Sequence, residues 1–211
     1  KLAEQLLGDL EFDRVLAVGE SQSAFALTTY YDAVQPLEEQ FDGFFIHSRG
    51  CSALPLRSDD KDMNIAGAIT GEGVKIRTDR SEPVMMLLSE SDLTSVIGYY
   101  KARKDDSTNV RVWEVAGTAH ADRFLLGVVA DQIDCSGTVN SGPHHYAVKA
   151  ALAALDNWVA TGEGPAKAEP LEVTDAATGP IIARDERGIA KGGIRLPQVA
   201  APTAVLSGEP A

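Results

Sequence analysis

The hydrophobic residues of this chain fall into short runs that alternate with amphipathic or polar stretches. Four runs predict strands, and the second is apolar on both faces, as in a strand covered by helices on both sides. These strands are RVLAV (14–18), FDGFFIHS (41–48), PVMMLL (83–88) and VRVWEVAG (110–117).

Helical patterns lie between and around these strands. The predicted helices cover residues 2–7, 22–34, 95–104 and 144–161. Gly8 stops the first and Pro36 ends the second. The last is the clearest, because Val148, Leu152, Leu155 and Val159 recur on one side and Gly162 closes it. Alternating strands and helices predict an α/β architecture with a parallel sheet.

Two segments depart from this alternation. Residues 49–82 are loop-rich, and we expect this insert to form part of a lid or substrate wall. After a Pro/Gly linker, PIIARDERGIAKGGIRLP (180–197) predicts a β-hairpin around residues 186–188, followed by an irregular tail. We therefore expect an α/β core over residues 1–163 and a linker, hairpin and tail over residues 164–211.

Composition excludes several classes of protein. The 211 residues suffice for one domain with a sizeable core, and no apolar run approaches the ~18 residues of a membrane span. The net charge of −12 repels phosphate backbones, so we expect no nucleic-acid partner. Cys51 and Cys135 lack metal-ligand spacing, so we expect no metal. Their pairing, and whether the chain is cytoplasmic or secreted, remain open.

The stretch GESQS (19–23) places a serine on an abrupt turn between a strand and a helix. Such a turn needs small neighbours, here Gly19 and Ser23, and it projects Ser21 at the ligand-binding edge of the sheet. The backbone N–H of Gln22, at the helix N-terminus, is a candidate oxyanion donor. The competing interpretation is that Ser21 merely caps the helix.

A serine nucleophile needs a base, and His120 is the strongest candidate. It follows the fourth strand in EVAGTAHAD, a loop of small residues that lets an imidazole reach the neighbouring turn. His47 ends the second strand and is assigned with Glu20 to substrate binding or packing. His144 and His145 have the character of ordinary helix-start residues.

The third strand leads into SESDL (89–93), which offers two acids that can orient the base. Asp92 is favoured over Glu90 because it lies where the turn has begun to fold back. A solvated turn that caps a helix is the alternative interpretation of both residues.

Several motifs in order resemble the α/β-hydrolase superfamily, and within it the group called "alpha/beta hydrolase domain" proteins. They are GESQSA, FDGFFIHSRG, SESDL, VWEVAGTAHAD and RDERGIAKGGIRLP. The resemblance implies Ser21 as nucleophile, His120 as base and an acid from the turn that holds Glu90 and Asp92, in the usual chain order. It implies ester hydrolysis of a small molecule without a cofactor, and no particular substrate.

One departure from that family concerns length. The nucleophile comes almost at once, so we expect the chain to hold the C-terminal half of the parallel sheet and a C-terminal hairpin extension. The first strands, with a second oxyanion donor, are then expected from the remainder of the protein or from another chain.

Other activities are compatible with the same residues. A lactonase, an acyltransferase or a peptidase can use the same triad, because the shape of the pocket decides the substrate. A non-catalytic binding module that keeps the fold is the alternative of a different class.

Overall fold

The computed structural model describes residues 12–56, 65–133, 137–177 and 179–209. The predicted helix at 2–7 lies outside these ranges. Within them, a four-stranded parallel sheet forms the centre, in the order β1-β2-β3-β4. The strands are β1 (Leu16–Glu20), β2 (Gly43–His47), β3 (Val84–Ser89) and β4 (Val110–Val115). This arrangement confirms the predicted α/β architecture.

The central strands are buried on both faces. Every residue of β2 and β3 is buried, which agrees with their continuous apolar sequences. Glu20 pairs with His47 at the carboxyl ends of β1 and β2, and Ser89 pairs with Val115 at those of β3 and β4. The loops that follow the strands therefore meet at one edge of the sheet.

The helix after β1 is longer than its sequence predicts. It begins as α1 (Gln22–Thr29), passes through a π-helical turn (Tyr30–Val34) and continues as α2 (Gln35–Glu38). Pro36 does not end it, because it lies in the first turn of α2, where a missing N–H is tolerated. The helix ends instead at Glu39, which adopts a left-handed conformation.

The segment after β3 also differs from its prediction. The insert contributes α3 (Ile65–Ile69), and α4 (Glu90–Thr94) begins directly after β3. The predicted helix at 95–104 is wrong, since this stretch holds only a 3₁₀ turn, Tyr99–Ala102. After β4 come α5 (Arg123–Leu126) and a 3₁₀ segment, Gly127–Gln132.

The long helix α6 (His144–Thr161) covers one face of the sheet. Gly162 closes it in a left-handed conformation (φ 76°), as predicted. Leu155 is buried, whereas Leu152 is 36% exposed, so the buried side is rotated from the predicted one. Ala147, Ala151 and Leu155 pack with Phe45, Met85 and Leu87. Alternate residues of β2 and β3 point to the opposite face, where α1 lies.

The C-terminal segment packs on the same core. Strands β5 (Val173–Ala176) and β6 (Gly179–Ile182) form an antiparallel hairpin that precedes the predicted centre at 186–188. The predicted turn exists, but the described residues around it form only a single bridge, Arg184 with Ala190. A short helix, α7 (Pro197–Ala200), follows. Leu171, Ile189 and Val199 are buried in the cluster that holds Phe44 and Met86.

Candidate active site

Ser21 lies on the turn between β1 and α1 in a backbone conformation that side chains rarely adopt. Its φ is 51° and its ψ is −120°. Such strain costs of the order of 1–3 kcal/mol and persists only where surrounding structure enforces it. Its backbone N–H donates to the carbonyl of His47 (3.2 Å), and its carbonyl accepts from Ala24 (2.9 Å) and Phe25 (3.2 Å).

The neighbours of Ser21 show why this turn needs small residues. A Cβ atom on Gly19 would lie 2.8 Å from the carbonyl oxygen of Ser23, too close for β1 and α1 to keep their approach. Ser23 also stitches the turn together. Its hydroxyl donates to the carbonyl of Glu20 (2.7 Å) and accepts from the N–H of Glu20 (2.9 Å). Gln22 begins α1, so its N–H has no acceptor within the helix.

A chain of hydrogen bonds links the serine, the histidine and an aspartate. The Oγ of Ser21 lies 2.9 Å from Nε2 of His120. The Nδ1 of the same ring lies 2.6 Å from Oδ1 of Asp92. The Asp92 side chain is fully buried, whereas that of His120 is 31% exposed. The described structure thus brings together the predicted nucleophile, base and favoured acid from three loops at one edge of the sheet.

Local hydrogen bonds fix the position of Asp92. It belongs to a capping box at the start of α4, in which its Oδ2 accepts from the N–H of Ser89 (2.7 Å) and its own N–H donates to Oγ of Ser89 (3.3 Å). One carboxylate oxygen therefore caps the helix while the other faces His120.

Glu90 has different partners from Asp92. Its buried carboxylate accepts from the N–H of Gly117 (2.5 Å), from Arg184 (2.9 Å) and from the N–H of Gly208 (2.9 Å). Its contacts join the start of the histidine loop to the C-terminal segment, so the geometry favours Asp92 as the partner of His120.

The electrostatics of His120 follow from its acidic partner. The hydrogen bond to Asp92 raises the pKa of His120 above its usual 6.5, and burial opposes this effect. The negative charges of Asp92 and Glu20 act in the same direction as the hydrogen bond. An imidazolium at this position is therefore stabilised, which is what a proton acceptor in acyl transfer requires.

Glu20 and His47, which the sequence assigns to substrate binding or packing, lie beside His120. Both line a cavity of about 200 Å³ together with His120. The ring of His47 stacks on Phe45 with centroids 5.0 Å apart, and its Nε2 lies 3.9 Å from Oε2 of Glu20. Burial is the main cause that lowers the pKa of His47 to about 4, so this imidazole is neutral near pH 7.

The insert contributes Leu54 to an open cavity over Ser21. The buried side chain of Arg49 donates to carbonyl oxygens of the insert that lie far apart in sequence, among them those of Gly50 (3.0 Å) and Val74 (2.7 Å). Cys51 is buried with its thiol near the carbonyl of Gly71 (3.3 Å), and Cys135 lies outside the described residues.

Sequence reasoning missed two contributors to this site. The Oγ of Ser91 accepts from the N–H of His120 (2.8 Å) and so holds the histidine loop on α4. His144 lines the cavity beside His120 rather than serving only as a helix start. A signal was present, because His144 follows the loop from β4 and therefore returns to the same edge of the sheet.

Comparison with known proteins gives one match. The model of a family described as "Alpha/beta hydrolase domain" matches residues 1–211. No curated protein and no solved structure matches the chain. None of the helices within the described ranges has the length and apolar character needed to cross a membrane. Among the described side chains, no group of three or more His, Cys, Asp or Glu residues is arranged to hold a metal ion.

Proposed function

Because the chain belongs to the alpha/beta hydrolase domain family, we propose that this hydrolase is a serine esterase that acts on carboxylic esters of small molecules. The observation that carries the proposal is the hydrogen-bonded chain from Ser21 through His120 to Asp92. Its position on a strained turn, with a helix N-terminus beside it, adds support.

In the first half of the reaction, the Oγ of Ser21 attacks the ester carbonyl while Nε2 of His120 takes the hydroxyl proton. Negative charge then develops on the carbonyl oxygen, and the backbone N–H of Gln22 stabilises it. Asp92 holds the Nδ1–H tautomer of the ring and stabilises the imidazolium. His120 returns the proton to the leaving oxygen, so an alcohol departs and an acyl-serine remains.

In the second half, water attacks the acyl-serine. His120 accepts a proton from the water, and the tetrahedral intermediate collapses when that proton passes to Oγ of Ser21. The carboxylic acid leaves and the resting hydrogen bonds are restored. Glu20, His47 and the insert that carries Leu54 form the walls against which the substrate lies.

The test compares Ser21→Ala with the unaltered protein on p-nitrophenyl acetate. Removing a nucleophile of this type lowers kcat/KM by about 10⁴-fold or more, because the residual rate comes from binding and the oxyanion site alone. Ser81→Ala, which alters an exposed serine beside Glu82, is the matched control and should keep full activity.

A fluorophosphonate probe gives a second measurement. We expect it to modify Ser21 in the unaltered protein and in Ser81→Ala, and not in Ser21→Ala. Turnover of the ester by Ser21→Ala at the unaltered rate would overturn the proposal. Panels of lactones, peptides and alcohol acceptors then separate ester hydrolysis from lactonase, peptidase and acyltransferase activity.

A further inference from the structure

A recess beside Ser21 and His120 includes polar residues, Asp122 and His144, that the proposed reaction does not use. The 200 Å³ cavity is lined by Glu20, His47, His120, Asp122, Leu125 and His144, among others. It shares Glu20 and Leu125 with the open cavity of about 590 Å³ that lies over Ser21. A molecule bound at Ser21 can therefore extend into this recess.

Two histidines that line the recess have a buried ring nitrogen without a hydrogen-bond partner among the described residues, Nε2 of His144 and Nδ1 of His145, and His144 is the more deeply buried of the two. Its side chain is deeply buried, with 6% of the residue exposed. Within the described ranges its Nε2 atom is shielded from solvent and has no hydrogen-bond partner. A buried polar atom is normally paired, and this one belongs to a residue that lines the recess, so a molecule bound in the recess is a candidate partner for it.

The two inner imidazoles of the recess are neutral near pH 7. The rings of His47 and His144 lie 6.5 Å apart, centroid to centroid. Burial is the largest cause that lowers the pKa of each ring. The acidic residues that line the recess are Glu20 and Asp122, and Oδ1 of Asp122 also accepts from the N–H of Leu125 (2.8 Å). Lys149 lies exposed at the rim.

The proposed mechanism determines which part of an ester enters the recess. His120 delivers its proton to the leaving oxygen, so the alcohol portion of the ester lies on the side of the imidazole. The recess is the cavity that His120 itself lines, whereas the open cavity borders Ser21 and Gln22. The alcohol portion is therefore the part that reaches His144.

We propose that this recess is the leaving-group subsite and that Nε2 of His144 hydrogen-bonds an uncharged hydroxyl on the departing alcohol. The inference rests on the proposed esterase function and names its substrate class, the monoesters of small diols or polyols. With a volume of about 200 Å³, the recess is of a size to take the short alcohol portion of such an ester.

The charges around the recess favour a hydroxyl over a carboxylate. A carboxylate on the alcohol portion would face Glu20 and Asp122, and the neutral imidazoles would not offset the repulsion. A hydroxyl can either donate or accept, so it pairs with Nε2 of His144 in either tautomer. A purely apolar alcohol would leave that nitrogen unpaired, and the site would select against it.

Three acetate esters of nearly equal length test the inference: 4-hydroxybutyl acetate, pentyl acetate and 4-acetoxybutanoate. The full chain is assayed unaltered, as His144→Gln, which keeps a hydrogen-bonding group, and as His144→Leu. Tyr146→Leu, at an exposed neighbour on α6, is the control. We expect the unaltered protein to prefer the hydroxybutyl ester over the pentyl ester by about tenfold or more in kcat/KM.

His144→Leu should bring this ratio close to one, while His144→Gln and Tyr146→Leu keep most of it. An unaltered protein that hydrolyses both uncharged esters equally well, or prefers 4-acetoxybutanoate, would overturn the subsite. So would a His144→Leu variant that keeps the full preference. Fluorophosphonate labelling of Ser21 separates the two proposals: an unaltered protein that is labelled and active but shows no preference for the hydroxybutyl ester contradicts only the subsite, whereas an unlabelled and inactive unaltered protein contradicts both.

Discussion

Glu90 joins the candidate site to the C-terminal segment, and the substitution Glu90→Gln tests that connection. The carboxylate is fully buried, and its two oxygens accept three hydrogen bonds. Oε1 accepts from Gly117, at the start of the histidine loop. Oε2 accepts from Arg184 and Gly208, which belong to the C-terminal segment. The variant keeps the size of the side chain and removes its charge and one acceptor.

The loss of stability follows from these contacts. In its better orientation the new amide oxygen takes the place of Oε2, and its NH₂ group then faces the N–H of Gly117. That leaves a buried donor unpaired, at a cost of about 1–3 kcal/mol, and it weakens a charge-assisted bond to Arg184. We expect Glu90→Gln to lower the free energy of unfolding by about 2–4 kcal/mol. Activity should fall as well, because Gly117 anchors the loop that carries His120.

Urea denaturation followed by circular dichroism measures the stability change, and p-nitrophenyl acetate turnover in the absence of urea measures the activity. Glu186→Gln is the matched control, since it makes the same change of charge at an exposed position of the turn near Arg184. An unfolding free energy within ~0.5 kcal/mol of the control would refute the contribution assigned to Glu90.

Two further predictions concern the reactive groups themselves. Gly19→Ala should lower the free energy of unfolding by ~1–3 kcal/mol and kcat by about 10²-fold, because the added methyl meets the backbone of Ser23. Gly137→Ala is the control, since a Cβ there meets nothing within 4 Å, and equal effects at both positions would contradict this reasoning. Because proton transfer needs the neutral ring, kcat/KM should fall as the pH drops through a His120 pKa above 6.5. Asp92→Asn should lower kcat by about 10³–10⁴-fold and move this fall to lower pH. A pH profile that does not move would contradict Asp92 as the cause of the raised His120 pKa.

The sheet could be predicted because its signal is local. Strands β2 and β3 are buried runs of mainly apolar residues, and the long helix α6 carries its own stop at Gly162. The turn at Ser21 could also be predicted, because the small residues it needs are its immediate neighbours in sequence.

Other elements depend on contacts that the sequence does not display. The apolar and aromatic residues of 95–104 suggest a helix. The helix forms earlier instead, at α4, because the Ser89–Asp92 capping box satisfies its first N–H groups. A helix-capping role and an acid role were alternative interpretations of Asp92. One carboxylate oxygen of Asp92 accepts from the N–H of Ser89 and the other faces His120, so the two interpretations are compatible.

The order of the chain indicates which edge of the sheet His144 occupies, but the direction of its ring could not be predicted. The recess is assembled from β1, β2, the loop after β4 and the start of α6, whose lining residues are spread along the chain from Glu20 to Lys149. Nothing in the local pattern of GPHHYAV states that its first histidine turns toward His120 rather than toward solvent.

The unusual backbone at position 21 determines the place of the proposed reaction, whereas the side chain of residue 21 supplies the atom that reacts. The main chain, held by hydrogen bonds of the neighbouring Glu20 and Ser23, sets the position of the Cβ atom and so limits the places that the side-chain heteroatom can occupy. The substitution Ser21→Cys would therefore place a thiol beside His120 without any change to the surrounding residues. The turn fixes the position of residue 21, so exchanging one side-chain atom changes the nucleophile offered at this edge of the sheet.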